Sequence, residues 1–345
     1  MPLSRTIAPP GTQGSDETAL VGQGASLSIG LSAVIVAASV QEPRVLTIRL
    51  PSRGEGDGSA EALPSGPLEA EHRTLEIGLR AWVERQTSQT LGYVEQLYTF
   101  GDRDRVMGEA SPGLPALVVA YLALVREARP AGSADAMWQG WYRYFPWEDW
   151  REGKSEPLAR IEDRLSRWAA GAASEPERRL RQERLGLAFG RPAGSWNEEL
   201  VLERYELLYE AGLVAEASRD LGRSARAGED LGTGAAMALD HRRILATALG
   251  RLRGKIKYRP VVFELMPPAF TLLQLQRTVE ALAGVRLHKQ NFRRLVEQQG
   301  LVEETGEISA ATGGRPARLV RFRREVLLER PAPGLRLRAG RRIAG

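Results

Sequence analysis

Five neighbouring side chains near the C-terminal end of the sequence have the chemistry needed to bind DNA. They are Lys289, Gln290, Asn291, Arg293 and Arg294. Arginine can donate two hydrogen bonds to guanine in the major groove, and asparagine or glutamine can pair in a similar way with adenine. Other members of such a group hold phosphates, which position a protein on the duplex without reading bases. We therefore expect these five residues to face a double helix.

A basic segment rich in glycine and proline follows them. It runs Gly313-Gly314-Arg315-Pro316-Ala317-Arg318. Because small or compact residues flank the first arginine, its side chain is free to enter a narrow minor groove, which attracts cations. Further DNA contacts are therefore expected from Arg315, Pro316 and Arg318.

Local patterns predict the elements that would carry these residues. Thr271 and Gln274 form a capping-box pattern at the start of one helix, and Gly284 would end it. A second helix is expected over 288–299. Its inward-facing residues would be Phe292, Leu295 and Val296. Two strands of a basic hairpin would span 301–305 and 318–322. This order of helix, turn, helix and hairpin predicts a winged helix-turn-helix, with a protein-binding winged helix as the alternative.

The charge distribution agrees with a DNA-binding C-terminal end. From Arg251 to Gly345 the sequence has 20 Lys and Arg against 8 Glu and no Asp, a net charge of about +12. The preceding 250 residues carry about −7, although the whole chain is only +5. Cationic side chains gain affinity for DNA by releasing the counterions condensed on it.

Composition excludes several other classes of protein. The chain has no cysteine and three histidines, so we expect neither disulfides nor a metal site of thiolates or clustered imidazoles. No apolar run approaches the ~20 residues that span a bilayer. The N-terminus lacks the pattern of a signal peptide. We therefore expect a cytoplasmic protein of two or three domains that does not contact a membrane.

The first half of the sequence alternates strands with one helix. A hairpin is expected from Leu27 to Leu50, a helix from Thr74 to Thr90, and strands over 94–100 and 116–125. Around that helix the glycine Gly66 begins a spaced pattern that resembles a worn Nudix box. The residues of this pattern are Gly66, His72, Arg80, Ala81, Glu84, Arg85 and Thr87.

The Nudix resemblance implies a pyrophosphohydrolase fold with altered chemistry. The family has Glu at the positions of His72, Ala81 and Arg85, and Gly at Thr87; only Gly66, Arg80 and Glu84 match. Glutamates of the box bind the Mg²⁺ that activates water, and Mg²⁺ prefers oxygen ligands. Losing three of them predicts that hydrolysis is lost, while a diphosphate compound could still bind through arginine.

The two halves together resemble the Nudix-related transcriptional regulators. The most specific segments are Leu97 to Asp102 and Asn291-Phe292-Arg293-Arg294. The segment from Tyr142 to Trp150 looks like the alphaproteobacterial branch called the NAD regulators. This resemblance implies a homodimeric repressor of NAD-synthesis genes on a palindromic operator. It also implies an N-terminal domain that senses NAD, ATP or ADP-ribose without a required cofactor. The alternative is a divergent Nudix pyrophosphohydrolase that acts on ADP-ribose or a dinucleotide.

Candidate effector-binding residues come from the box and from the segments around it. They are Arg80, Glu84, Tyr98, Phe100, Asp102 and Arg143. Seven aromatic residues cluster over 138–150. They could stack on a nucleotide base, but we favour core or dimer packing, since large aromatics bury much apolar surface.

The expected architecture is an α+β, multidomain chain. A disordered N-terminal arm would occupy 1–25. A degenerate Nudix-like α/β/α sandwich would span 26–130 and sense the effector. An aromatic-rich helical middle region would span 131–250, with helices over 158–170, 176–187, 196–212 and 235–253. The winged helix-turn-helix would span 251–330, and a basic flexible tail would end the chain at 331–345.

Overall fold

The computed structural model describes most of the chain in eight stretches. They are residues 28–51, 59–102, 116–126, 135–190, 195–222, 231–309, 316–335 and 341–342. The predicted N-terminal arm and Arg315 lie outside these residues.

One mixed sheet organises the N-terminal half. Its strands are β1 (Ser28–Ala38), β2 (Pro43–Pro51), β3 (Ser59–Ala62), β4 (Ser65–Pro67), β5 (Tyr93–Asp102), β6 (Ala116–Leu124) and β7 (Ala136–Gly140). The order is β3-β2-β1-β6-β5, with β4 also on β1 and β7 also on β2. β1 and β6 run parallel and the other pairs are antiparallel. The expected hairpin is therefore confirmed as β1 and β2.

Each face of this sheet is covered by a different layer, because alternate side chains of a strand point to opposite faces. Helix α1 (Leu75–Thr87) covers one face, where Leu79 and Val83 join a core with Leu31 and Ile35. Residues such as Val34 and Val36 face the other way, into a larger core that continues into the helices beyond. The predicted Nudix-like sandwich has this layered arrangement.

Five helices follow the sheet. They are α2 (Glu156–Ala170), α3 (Glu175–Phe189), α4 (Val201–Glu210), α5 (Ala215–Asp220) and α6 (His241–Tyr258). Four of them confirm predicted helices, with shifted ends. The expected start of the last helix near 235 is wrong, since the helix begins at His241. The middle region also contains β7, which the sequence did not indicate and which pairs with β2 of the sheet.

Six of the seven aromatic residues lie in or against the larger core, and Trp138 packs against the smaller core around α1. Trp141, Tyr144, Phe145 and Trp147 are fully buried, and Trp150 is nearly so. Phe145 and Trp147 meet edge to face at 5.8 Å between ring centroids. These residues pack the helices against the sheet, which confirms the interpretation as core packing and leaves little ring surface for a ligand.

The C-terminal elements complete the fold. They are helix α7 (Leu272–Ala283), helix α8 (Lys289–Gln298), strand β9 (Val302–Ser309), strand β10 (Ala317–Phe322), the short helix α9 (Val326–Glu329) and strand β11 (Arg341–Arg342). Strand β8 (Ser195–Trp196) lies earlier in the chain, between α3 and α4. None of the helices in the described stretches is long and apolar enough to cross a bilayer.

The described residues of the expected flexible tail contact the rest of the fold. Leu335 is fully buried, and its backbone N–H donates to the carbonyl oxygen of Ile256 at 3.1 Å. β11 pairs with β8. Leu335 belongs to the larger core beside the C-terminal end of α6, an interaction that the basic composition of the tail does not reveal.

Candidate nucleic-acid interface

Helix α7 begins and ends as the sequence predicts. The Thr271 hydroxyl accepts from the backbone N–H of Gln274 at 3.1 Å, and the Gln274 side chain accepts from the Thr271 N–H at 2.7 Å. This reciprocal capping box satisfies two donors that a helix start leaves unpaired. At the other end Gly284 adopts a left-handed conformation with φ of 71°, which a glycine accommodates without strain.

A buried glutamate fixes the turn between α7 and α8. Oε1 of Glu280 accepts from the backbone N–H of Leu287 and from Nε2 of Gln276, both at 2.9 Å. The same Gln276 nitrogen donates to the Leu287 carbonyl at 3.0 Å. The turn therefore has little freedom, and the direction of α8 depends on α7. Sequence reasoning missed this pair, although its spacing of four residues on a helix was a usable signal.

Helix α8 presents the five predicted DNA-binding residues to solvent. Phe292 and Val296 are buried and seat the helix on the domain, as expected. The exposed residues are Lys289, Gln290, Asn291, Arg293 and Arg294. No described residue forms an ion pair with Lys289, Arg293 or Arg294. Their charges are consequently available for phosphates or base edges.

The wing differs from α8 in its charge balance. β9 and β10 are antiparallel, and Phe270 joins them through two backbone hydrogen bonds to Val320 at 2.8 and 3.0 Å. Arg318 is paired across the strands with Glu304 at 2.7 and 3.0 Å. Arg321 is paired with Glu303 at 2.6 Å. Of the other predicted wing contacts, Pro316 is exposed, whereas Arg315 lies outside the described residues.

The candidate effector residues of α1 have separate environments. Arg80 pairs with Glu76 at 2.8 Å and donates to the carbonyls of Leu91 and of Gly92, the latter at 3.1 Å. These bonds attach α1 to the chain that enters β5. The Arg80 guanidinium therefore stabilises the fold at this point. Glu84 is exposed on the same helix.

The remaining effector candidates lie on β5 or pair with β3. The ring of Tyr98, 59% exposed, meets the buried ring of Phe100 edge to face at 5.3 Å on β5, and Asp102 ends that strand. Arg143 pairs with Glu61 of β3 at 3.0 Å, at the opposite edge of the sheet from β5. The structure thus brings Tyr98 and Phe100 together but does not gather the six candidates into one site.

The side chains of α1 that stand at the positions of the Nudix-like pattern do not supply a set of ligands for a metal ion. Residues 81, 84 and 85 share one face of α1, and they are Ala81, Glu84 and Arg85. The Arg85 guanidinium lies 3.4 Å from both carboxylate oxygens of Glu69 and 4.5 Å over the ring of Trp82. Among the described residues, no group of three acidic or histidine side chains could hold a metal. Of the three positions on this face, only Glu84 offers a carboxylate to a cation.

A buried ion triad lies behind the winged helix. Glu148 accepts from Arg204 at 2.5 and 2.9 Å and from Arg253 at 2.6 Å, and all three side chains are inaccessible to solvent. Burial alone would raise the pKa of Glu148, but the charges and hydrogen bonds of the two arginines outweigh it and hold that pKa below its usual value. Glu148 is therefore ionised at neutral pH and compensates both cations.

The layers and the terminal module together define a Nudix-like domain joined to a winged helix. Comparison with known proteins gives the same class. Residues 262–322 match the family model of the NrtR DNA-binding winged helix domain. The crystal structure of Shewanella oneidensis NrtR, a protein with a Nudix domain, is similar over 86% of this chain and 95% of its own, with 19% identity and a TM-score of 0.50. The structure of that protein with a 27mer DNA is equally similar, at 19% identity, 86% and 94% coverage and a TM-score of 0.50.

One curated relative matches at higher identity over a shorter length. The ADPR responsive transcriptional repressor NtrR of Acinetobacter baylyi is 44% identical over 86 residues. That match covers 25% of this chain and 34% of the relative, so the chain spans about a third of the relative it matches. The Nudix domain of the Shewanella protein has itself been solved with ADP-ribose.

Proposed function

We propose that this protein is a transcriptional repressor that binds operator DNA through α8. The observation that carries the proposal is the exposed face of α8, whose cations have no described partner and whose direction is fixed by the buried Glu280. The match of residues 262–322 to a DNA-binding domain family supports it. Lys289, Gln290, Asn291, Arg293 and Arg294 are the proposed contacts on α8. The proposed wing contacts are Arg315, Pro316 and Arg318.

The repressor would act as a homodimer on a palindromic operator. Two copies of α8 would enter successive major grooves on one side of the duplex, about 34 Å apart. A cytoplasmic location follows from this role. A gel shift with duplexes of different half-site spacing tests the arrangement. Only duplexes whose half-sites lie on the same side of the double helix should bind the protein tightly.

The Nudix-like domain would sense an NAD-related nucleotide without hydrolysing it. ADP-ribose is the first candidate because the Acinetobacter repressor is named for its response to it. NAD and ATP are the other candidates. The effector residues proposed from the sequence are Arg80, Glu84, Tyr98, Phe100, Asp102 and Arg143. A ligand can shift DNA binding only by as much as its affinity differs between two arrangements of the protein.

The regulated genes would be those of NAD synthesis, as the resemblance of segment 142–150 to the NAD regulators implies. Anisotropy measurements with duplexes from the promoters of quinolinate- and NAD-synthesis genes test both parts of the proposal. Binding of one promoter, and a change in that binding on adding ADP-ribose, is the expected result. Indifference to every duplex would overturn the proposal and favour a binding module for proteins.

A further inference from the structure

The C-terminal end of α7 is held by residues outside the winged helix. Two of its backbone carbonyls, and that of the capping residue Gly284, accept hydrogen bonds from the aromatic segment and from α6. The pairs are Tyr142 hydroxyl to Ala281 at 2.7 Å, Arg253 Nε to Leu282 at 3.0 Å and the Trp150 backbone N–H to Gly284 at 2.7 Å. The last carbonyls of a helix have no partner within it, so these bonds decide where the helix end lies.

Arg253 is the most constrained of the three donors. Its side chain is fully buried, and besides Leu282 it donates to the Glu148 carboxylate at 2.6 Å and to the Glu198 carbonyl at 3.0 Å. Because several N–H groups of this planar guanidinium donate hydrogen bonds at once, the group cannot rotate without breaking more than one of them. Arg253 therefore fixes the α7 end relative to α6 and to the ion triad.

The segment that supplies the other two donors is itself attached to the sheet. The hydroxyl of Tyr144 donates to Oε2 of Glu61 at 2.6 Å, and Arg143 pairs with Oε1 of the same carboxylate at 3.0 Å. Glu61 belongs to β3. The residues between Tyr142 and Trp150 thus contact the Nudix-like sheet on one side and the end of α7 on the other.

The α7 end leads directly into the turn that Glu280 holds rigid, and α8 follows that turn. We propose that Arg253 is a positioning residue for DNA recognition, which sets the direction of α8 by holding the C-terminal end of α7. This inference rests on the proposed function of α8. It places part of the determinant of base preference about 40 residues before the recognition helix, in a side chain that never touches DNA.

A lysine substitution tests the role, because lysine keeps the charge but offers a single donor atom. Arg253→Lys should lose the bond to Leu282. Arg204→Lys is the matched control, since Arg204 pairs with the same Glu148 carboxylate but its other bonds go to the carbonyls of Ala188 and Asn197 and none reaches α7. Tyr142→Phe removes the hydroxyl that donates to Ala281 and that accepts from Nη2 of Arg253 at 3.4 Å, but it leaves the Arg253 bond to Leu282 in place. It serves as a second variant if Arg253→Lys does not fold.

The readout is the ratio of affinities for two duplexes. The full-length wild-type protein selects one from a randomised duplex library, and the second has the same composition in scrambled order. Thermal unfolding is measured on each protein. A merely structural role lowers stability but leaves this ratio unchanged, because the unfolded fraction binds neither duplex. The ratio therefore separates positioning from stability.

Positioning by Arg253 predicts that Arg253→Lys and Tyr142→Phe lower the ratio about tenfold, as expected for one misaligned base contact. Arg204→Lys should keep the wild-type ratio despite its lower stability. A wild-type ratio in both α7-contacting variants, or an equal loss in the Arg204 control, overturns the inference. A wild-type protein that selects no duplex removes the proposed function itself, and the inference with it.

Discussion

Gly284 lies so close to the backbone of Glu148 that position 284 has no room for a side chain. A Cβ on Gly284 would lie 2.3 Å from the backbone carbonyl oxygen of Glu148. The backbone of Gly284 also has a φ of 71°. The start of the turn before α8 thus lies in direct contact with the aromatic middle region.

Replacing this glycine should therefore destabilise the protein through two separate effects. A left-handed backbone costs an L-residue about 1–2 kcal/mol, and the contact with Glu148 should add about 1–3 kcal/mol of overpacking. Gly212→Ala is the control, because Gly212 has a φ of 69° with no atom within 4 Å of a built Cβ. Denaturant unfolding should show a larger loss for Gly284→Ala, whereas equal losses would mean that the contact relaxes.

Removing the charge of Glu148 should destabilise the fold strongly. Glu148→Gln leaves Arg204 and Arg253 buried without a counterion, and breaking such a buried pair typically costs about 3–5 kcal/mol. Glu156→Gln is the control, since Glu156 pairs with Arg160 on an exposed helix face, and this substitution should cost less than about 0.5 kcal/mol. Urea unfolding at neutral pH measures the loss of unfolding free energy in each variant. Similar small losses in both would show that the triad tolerates an uncharged side chain at position 148.

The contribution of Glu148 to the free energy of unfolding should depend on pH. The folded-state pKa of Glu148 lies below its ordinary value of 4.5, so its contribution to stability is complete above that pH. This contribution is lost as the pH falls through the depressed folded-state pKa, because the Glu148 carboxyl is then protonated in both the folded and the unfolded protein. The difference in unfolding free energy between wild type and Glu148→Gln should shrink only below about pH 4.5. A gap that changes between pH 5 and 8 would contradict this assignment.

DNA affinity should depend more on α8 than on the described part of the wing. Arg293→Ala or Arg294→Ala should each cost about 1–3 kcal/mol if the side chain reads a base, and a phosphate contact would instead lower the salt slope. Arg318→Ala should cost less than either, because Glu304 already neutralises Arg318. Anisotropy titrations at several salt concentrations distinguish these roles. A loss confined to Arg318→Ala would reverse the assignment.

Hydrolysis of ADP-ribose should be absent even with Mg²⁺ present. Arg85 occupies a box position that would need a carboxylate ligand, and its cation repels the metal. Phosphorus NMR of ADP-ribose incubated with the protein and Mg²⁺ should show only intact diphosphate. Formation of AMP and ribose phosphate that Arg85→Ala does not alter would support the hydrolase alternative.

The elements of the winged helix could be predicted from the sequence because their signals are local. The capping box at Thr271, the glycine at Gly284 and the inward spacing of Phe292 and Val296 all act within a few residues of themselves. The hairpin of β1 and β2 and the helix α1 follow from short-range periodicity in the same way.

Features that depend on distant partners could not be predicted. Arg318 looked like a free DNA contact, but its pairing with Glu304 depends on the register of two strands. Arg143 and Arg80 have separate surroundings, because Arg143 pairs with Glu61 of β3 whereas Arg80 on α1 donates to the chain that enters β5. The packing of Leu335 and the attachment of α7 through Arg253 likewise join residues far apart in sequence, which composition and periodicity do not encode.

A DNA titration combined with recovery of the nucleotide distinguishes a regulator from a hydrolase. The full-length protein is titrated onto labelled duplexes from NAD-synthesis promoters and onto scrambled duplexes, with and without ADP-ribose, and the nucleotide is recovered afterwards. The account predicts preferential binding of one promoter, loss of that preference in Arg293→Ala or Arg294→Ala, and intact ADP-ribose. A protein that binds no duplex but cleaves ADP-ribose would contradict it.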